Sequence, residues 1–262
     1  MGRMMLAGRT ALVTGAGGGI GREITLALAR AGADVILAGR SIDAMAAVAD
    51  EVRAIGQKSE VVSMDVTAPD SVNAAVESAL RHVGAIDILV CNSGISGPAA
   101  PVWEYPVDAW RHVQDVNLTG VFLTCRALLP HMVERGSGTV VVIGSIAGKR
   151  PSPNRSGYSS SKAGLVALVR TIALDGGPYG IRANLVSPGG VAGANLDNII
   201  QQNVDATGAD AETVRASYRD AAPLRRLVEP GDVADAVVYL ASDAATNVTG
   251  ADLNVTAGLV MH

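Results

Sequence analysis

Short apolar runs alternate with amphipathic helical stretches along the whole chain, and this alternation limits the possible folds more than any other feature. Residues 10–13, 34–38, 60–64, 86–91, 139–143, 181–186 and 253–255 read as strands. Between them, apolar residues recur at helical spacing over 20–31, 42–55, a stretch opened by Pro69, 106–134, 158–174 and 230–241. Strands that are apolar on both faces and separated by helices imply a parallel sheet covered on both sides. Right-handed crossovers then give a doubly wound α/β sheet of about seven strands. No Pro/Ser linker or repeat divides the sequence, so residues 1–262 are expected to form one domain. Residues 189–226 are rich in Asn, Gln and Asp. They read as an excursion beyond a strand end, a natural place for a substrate lid.

Composition removes several function classes. The chain is 48% apolar with a net charge of -4, which argues against disorder and against a clustered basic surface for nucleic acid. Cys91 and Cys125 read as core thiols, and the four histidines show no ligand spacing, so no metal is expected. Glycines and prolines break the uncharged run 88–103, and Gly8 and Arg9 interrupt any secretory apolar segment. The expectation is a soluble cytoplasmic protein without membrane or nucleic-acid partners.

The turn after the first strand reads Thr14-Gly15-Ala16-Gly17-Gly18-Gly19-Ile20-Gly21. Glycines there let the backbone approach a pyrophosphate, and the following helix start supplies unpaired N–H groups and partial positive charge. The fitting spacing is Gly15, Gly19 and Gly21; an unliganded glycine-rich turn is the plainer alternative.

Tyr158 and Lys162 stand four positions apart in a helical stretch, so both project from one face. A free tyrosine titrates near pH 10, and moving it toward neutrality needs about 3–4 kcal/mol of preference for the anion. An ammonium about 4 Å away supplies on the order of 4 kcal/mol at an effective dielectric near 20. One lysine is sufficient in magnitude. Ser145 ends a strand thirteen residues before Tyr158, where its hydroxyl can reach the same crevice. Asn117 interrupts the long helical region 106–134.

Together these motifs resemble the single-domain branch, about 250 residues long, of the short-chain dehydrogenase/reductase superfamily, which has a Rossmann-type fold. The resemblance covers nearly the whole chain and implies a catalytic tetrad of Asn117, Ser145, Tyr158 and Lys162. It further implies cofactor contacts from Gly15, Gly19, Ile20, Gly21, Arg40, Asp65, Val66, Asn92, Gly94, Tyr158, Lys162, Pro188, Gly189 and Val191. Cys91 and Ser93 depart from the usual residues around Asn92, and Ala192, Gly193 and Ala194 stand where a threonine is common. The implied reaction moves a hydride between NAD(P) and a small-molecule secondary alcohol or ketone. Tyr158 exchanges the proton, Ser145 positions the oxygen, Lys162 binds ribose and lowers the tyrosine pKa, and Asn117 holds a relay water. Two rival classes are a catalytically silent dinucleotide sensor and an epimerase or dehydratase of the longer sister branch.

The second strand ends Gly39-Arg40-Ser41, with no acid before Asp43 to read ribose hydroxyls, so NADP is favoured over NAD through Arg40. Lys149, Arg150 and Arg155 read as a solvated loop, the rival reading being charges that meet an anionic substrate. The helix after Tyr158 is apolar beyond one stripe at Ala163, Leu165, Val166, Ala167, Leu168, Val169, Ile172 and Ala173. Such a helix must bury a second face, which predicts a homotetramer or at least a dimer. The resemblance puts that interface on this helix and the Asn117 helix.

Overall fold

A computed structural model describes residues 4–262. Its strands are β1 (Thr10–Thr14), β2 (Asp34–Gly39), β3 (Ser59–Ser63), β4 (Ile88–Cys91), β5 (Gly138–Ile143), β6 (Ile181–Pro188) and β7 (Asp252–Val255). They form one parallel sheet of seven strands in the order β3-β2-β1-β4-β5-β6-β7, the expected doubly wound arrangement. The chain steps outward from β1 to β3, then restarts at β4 on the other side of β1. That reversal opens a crevice at the carboxyl ends of β1 and β4, where ligands of such sheets bind.

The helices are α1 (Gly19–Arg30), α2 (Ile42–Ile55), α3 (Pro69–Val83), α4 (Val107–Gln114), α5 (Gly120–Arg135), α6 (Ser156–Gly176), α7 (Ala194–Thr207), α8 (Ala211–Asp220) and α9 (Pro230–Ala241). Successive strand residues face opposite layers. Val13, Leu37 and Val90 pack with Ile24, Leu28, Val52, Val237 and Leu240 of α1, α2 and α9. Leu12, Leu89 and Val140 pack with Val76, Leu128, Leu165 and Val169 of α3, α5 and α6. Each such side chain stabilises the fold by about 1.5–3 kcal/mol through its removal from water.

Several elements start or end one or two residues away from the sequence expectation, and two departures have a clear physical reason. The fourth strand begins at Ile88: the Ile86 N–H goes to His131 Nε2 at 3.5 Å and its carbonyl to Arg135 at 3.2 Å, while the Asp87 carboxylate accepts the Thr10 N–H at 2.8 Å. The helical stretch 106–134 is α4 and α5 joined by a π turn at Asp115–Thr119. This run, Val107–Arg135, is long and apolar enough to cross a membrane, but Val116, Val121, Cys125, Leu128 and Met132 are buried in the second core layer. Cys91 and Cys125 are buried and unbridged, as expected of core thiols. A hydrogen bond from the Cys91 thiol to Cys125, together with burial, pushes that thiol up.

Candidate active site

The glycine turn is shaped by three specific requirements. Gly15 and Gly19 hold φ of +67° and +53°, a left-handed region where a side chain is strained. Gly21 is needed for space: a Cβ there would lie 2.1 Å from the Gly15 carbonyl oxygen and 2.6 Å from Asn92 Nδ2. Asn92 Nδ2 donates to the carbonyls of Thr14 and Gly15 at 3.1 and 3.2 Å, which ties β4 to the turn. Thr14 Oγ1 accepts the N–H groups of Asn92 and Ser93 at 3.0 and 3.1 Å. The sequence motif includes Thr14 without giving it a role, which these two bonds supply.

The remaining positions expected to contact a cofactor gather at the same strand ends. Arg40 is exposed after β2, and its charge reaches Asp65 after β3. The Thr67 amide and hydroxyl bond Asp65 at 2.9 and 2.8 Å and, with help from Arg40, hold its carboxyl below the usual range. Val66 is buried against Gly120, while Pro188 and Gly189 end and follow β6. Val191 bridges to Val228, and Ile20 lies in the first turn of α1.

Asn117 sits inside the π turn and is fully buried. Its Oδ1 accepts the Ile95 N–H at 2.8 Å, and its Nδ2 donates to the Ile95 carbonyl at 2.9 Å and to Ser161 Oγ at 3.0 Å. Both amide protons are therefore spent on protein. Ser161 was not visible as a partner, since only tertiary packing brings it 44 positions back to Asn117.

Ser145 follows β5 and caps a 3-10 turn at Ile146–Gly148, its Oγ accepting the Ala147 N–H at 3.1 Å. That turn lies tight on α6, because a Cβ on Gly148 would be 2.8 Å from the Lys162 backbone. Tyr158 is in the first turns of α6, with its hydroxyl close enough to Ser145 for that side chain to favour the phenolate. Lys162 is 5% exposed, and its Nζ donates to the Ile143 carbonyl at 2.9 Å and lies 5.8 Å from the centre of the Tyr158 ring. Burial lowers the Lys162 pKa to about 8, which still leaves an ammonium at neutral pH. Burial also raises the Tyr158 hydroxyl, while the Ser145 hydrogen bond and the Arg155 charge pull it back.

The three loop cations separate. Arg150 is exposed, as a solvated loop requires. Lys149 is not solvated: Nζ pairs with Asp252 at 2.8 Å and donates to Asn254 at 2.6 Å, both on the edge strand β7. Arg155 lies part-buried under the excursion, with Nη2 donating to Gln202 of α7 at 2.9 Å. A second link joins Ser96 after β4 to Asn195 of α7 at 3.0 Å. Leu196 and Ile200 bury α7 against the body.

These residues fit a dinucleotide. A Cβ on Gly18 or Gly19 would meet nothing within 4 Å, so the turn leaves open space beside the uncapped start of α1. Unpaired N–H groups and positive helix-end charge at such a space suit a pyrophosphate. Among the described residues no cluster could hold a metal ion.

The fold and this site define a nicotinamide-dependent oxidoreductase. A family model described as enoyl-(acyl carrier protein) reductase matches residues 15–260. The chain is 41% identical over 250 residues to a cis-4-hydroxycyclohexanecarboxylate dehydrogenase of Sinomonas cyclohexanicum, covering 95% of this chain and 96% of the relative. It is 32% identical to a 7alpha-hydroxysteroid dehydrogenase of Escherichia coli (strain K12), covering 99% and 97% respectively. An NAD+-bound xylitol dehydrogenase crystal structure matches with TM-score 0.93 at 32% identity, over 97% of this chain and 99% of that one. An actinorhodin polyketide ketoreductase with NADPH matches at TM-score 0.91 and 33% identity, over 96% and 97%. The chain belongs to the short-chain dehydrogenase/reductase family and is an NAD(P)-dependent oxidoreductase acting on CH–OH groups.

Proposed function

We propose that the enzyme interconverts a small-molecule secondary alcohol and its ketone, with Tyr158 as general acid/base. The observation that carries this reading is the meeting of Ser145, Tyr158 and Lys162 beside Gly94, where a Cβ would come within 3.6 Å of Lys162 Nζ. Bound nicotinamide supplies the hydride donor or acceptor. Tyr158 takes the hydroxyl proton in oxidation and returns it in reduction. Ser145 has one hydroxyl proton: without substrate it favours the Tyr158 phenolate, and with substrate it is donated to the substrate oxygen. Lys162, anchored on Ile143, keeps further ammonium protons for the ribose hydroxyls. Asn117 holds the Ile95 turn; a relay water there would bind its second Oδ1 lone pair or a carbonyl loosened by the π turn. Gly15, Gly19, Ile20, Gly21, Asp65, Val66, Asn92, Gly94, Pro188, Gly189 and Val191 surround the dinucleotide. We read the chain as one cytoplasmic domain with 189–226 as its lid. A panel of secondary alcohols and ketones with both cofactors, followed at the reduced-nicotinamide absorbance, tests the activity. Absence of turnover across the panel would return the reading to a silent dinucleotide sensor.

NADP is the proposed partner of Arg40, since a 2′-phosphate carries roughly two negative charges. Arg40→Ala is expected to weaken NADP binding about ten- to hundredfold while leaving NAD nearly unchanged, the range of a charge-assisted bond. Titration of both cofactors checks this, and equal losses would reduce Arg40 to an adenine-side contact.

Assembly follows from what α6 and α5 leave uncovered. Leu174 is 77% exposed and Phe122 47%, and Ala163 and Ala167 are also exposed. The proposed state is a homotetramer built on these helices. Light scattering at micromolar concentration should give four copies, or two at least; a monomer would refute it.

A further inference from the structure

Polar atoms at the amino end of α6 are enclosed without partners. Arg155 Nη1, Tyr105 Oη, Ser156 Oγ and Ser159 Oγ are all buried and lack a hydrogen bond. Buried polar atoms in folded proteins are nearly always paired, so four open ones around one helix start ask for an explanation. Every member can donate: three hydroxyls and a guanidinium. The unpaired N–H groups of a first turn without a side-chain cap add to them. Donors of this kind suit an anion, and a guanidinium suits a carboxylate in particular.

Position relates the cluster to the reaction. Arg155 directly precedes α6, and its backbone segment is bridged to Ala100 of the loop after β4. The Tyr105 hydroxyl stands 2.7 Å from where a Gly157 Cβ would be, against the first turn of α6. The Arg155 charge reaches both the Tyr105 and the Tyr158 hydroxyls, where it opposes the effect of burial. Gln202 of α7 fixes the guanidinium by Nη2, leaving Nη1 uncommitted. Lys149 is neutralised by Asp252, but among the described residues no carboxylate pairs with Arg155. A part-buried cation without a counter-charge, next to the proposed acid/base, is costly unless a ligand brings the charge.

We propose that Arg155, with Tyr105 and the first turn of α6, forms an anion subsite beside Tyr158, and that the substrate is a secondary alcohol or ketone carrying a carboxylate. The substrate class rests on the oxidoreductase reading; the anion site does not. Calorimetry with cofactor-loaded protein tests the site directly, using cyclohexanecarboxylate and its neutral isostere cyclohexanecarboxamide as probes. Wild type should bind the acid about tenfold more tightly than the amide or better, as a charge-assisted contact requires. Arg155→Gln should collapse that ratio toward one, and Arg155→Lys should restore part of it, with melting temperatures unchanged. Equal binding of acid and amide by wild type, or an unaltered ratio in Arg155→Gln, overturns the subsite. Turnover of ring alcohols with and without a carboxyl is then measured separately. If none is oxidised while the acid preference stands, the reaction assignment falls and the subsite remains; if neutral alcohols are preferred, the substrate class is wrong.

Discussion

Tyr158→Phe is expected to reduce kcat by about a hundredfold to ten-thousandfold, the usual contribution of a positioned acid or base. The substitution removes only the hydroxyl that Ser145 engages and leaves the ring on α6 in place. Dinucleotide affinity and melting temperature should stay near wild type. Turnover retained at the wild-type rate would remove Tyr158 from the reaction. The pH dependence has a defined sign. Oxidation needs the phenolate and reduction needs the phenol, so kcat/KM should rise with pH for the alcohol and fall with pH for the ketone. Burial raises the Tyr158 pKa and so favours the phenol at neutral pH. Lys162 loses its charge above about pH 8, so its help to the phenolate weakens there. Both limbs are measurable in both directions with the same substrate pair.

The second large effect is expected at Gly21, for steric reasons. In Gly21→Ala the new methyl would lie 2.1 Å from the Gly15 carbonyl oxygen, a backbone atom that cannot swing aside. It would also lie 2.6 Å from the Asn92 amide that clamps β4 to the turn. Overpacking typically costs about 1–3 kcal/mol and occasionally more, and a backbone obstacle puts this case at the upper end. Either the turn opens or α1 shifts, and in both cases the proposed pyrophosphate cradle is lost. The expected result is a lower melting temperature together with dinucleotide binding too weak to saturate. Gly18→Ala is the control: its φ of -177° suits any residue, and nothing lies within 4 Å of its Cβ position. Its stability should fall within about 0.5 kcal/mol of wild type, as for other unencumbered surface positions. Comparable losses in both variants would mean that glycine content, and not the close approach at Gly21, governs the turn.

The layered fold could be read from the chain because its information is local. Runs such as 140–143 are apolar on every residue, and a strand buried on both faces needs nothing else. The Tyr158–Lys162 spacing was legible for the same reason, since four positions on a helix fix a shared face. Turn chemistry carried the glycine cluster. Strand limits were less legible where side chains compete for the backbone, as those of His131 and Arg135 do for Ile86 ahead of β4.

The state of each charge was decided only by tertiary structure. Lys149 reads as a loop cation, yet its partner Asn254 lies 105 positions away and its counter-ion Asp252 sits on the same edge strand. Asn117 reads as a break in a helix; folding wraps it around Ile95 and Ser161 and consumes its amide protons. Arg155 resembles its neighbours in sequence, and only packing encloses it beneath α7 with a donor left open. Helix and strand periods depend on neighbours within a few residues, whereas burial, pairing and the cost of an unpaired charge depend on groups brought together by the crossovers of the sheet.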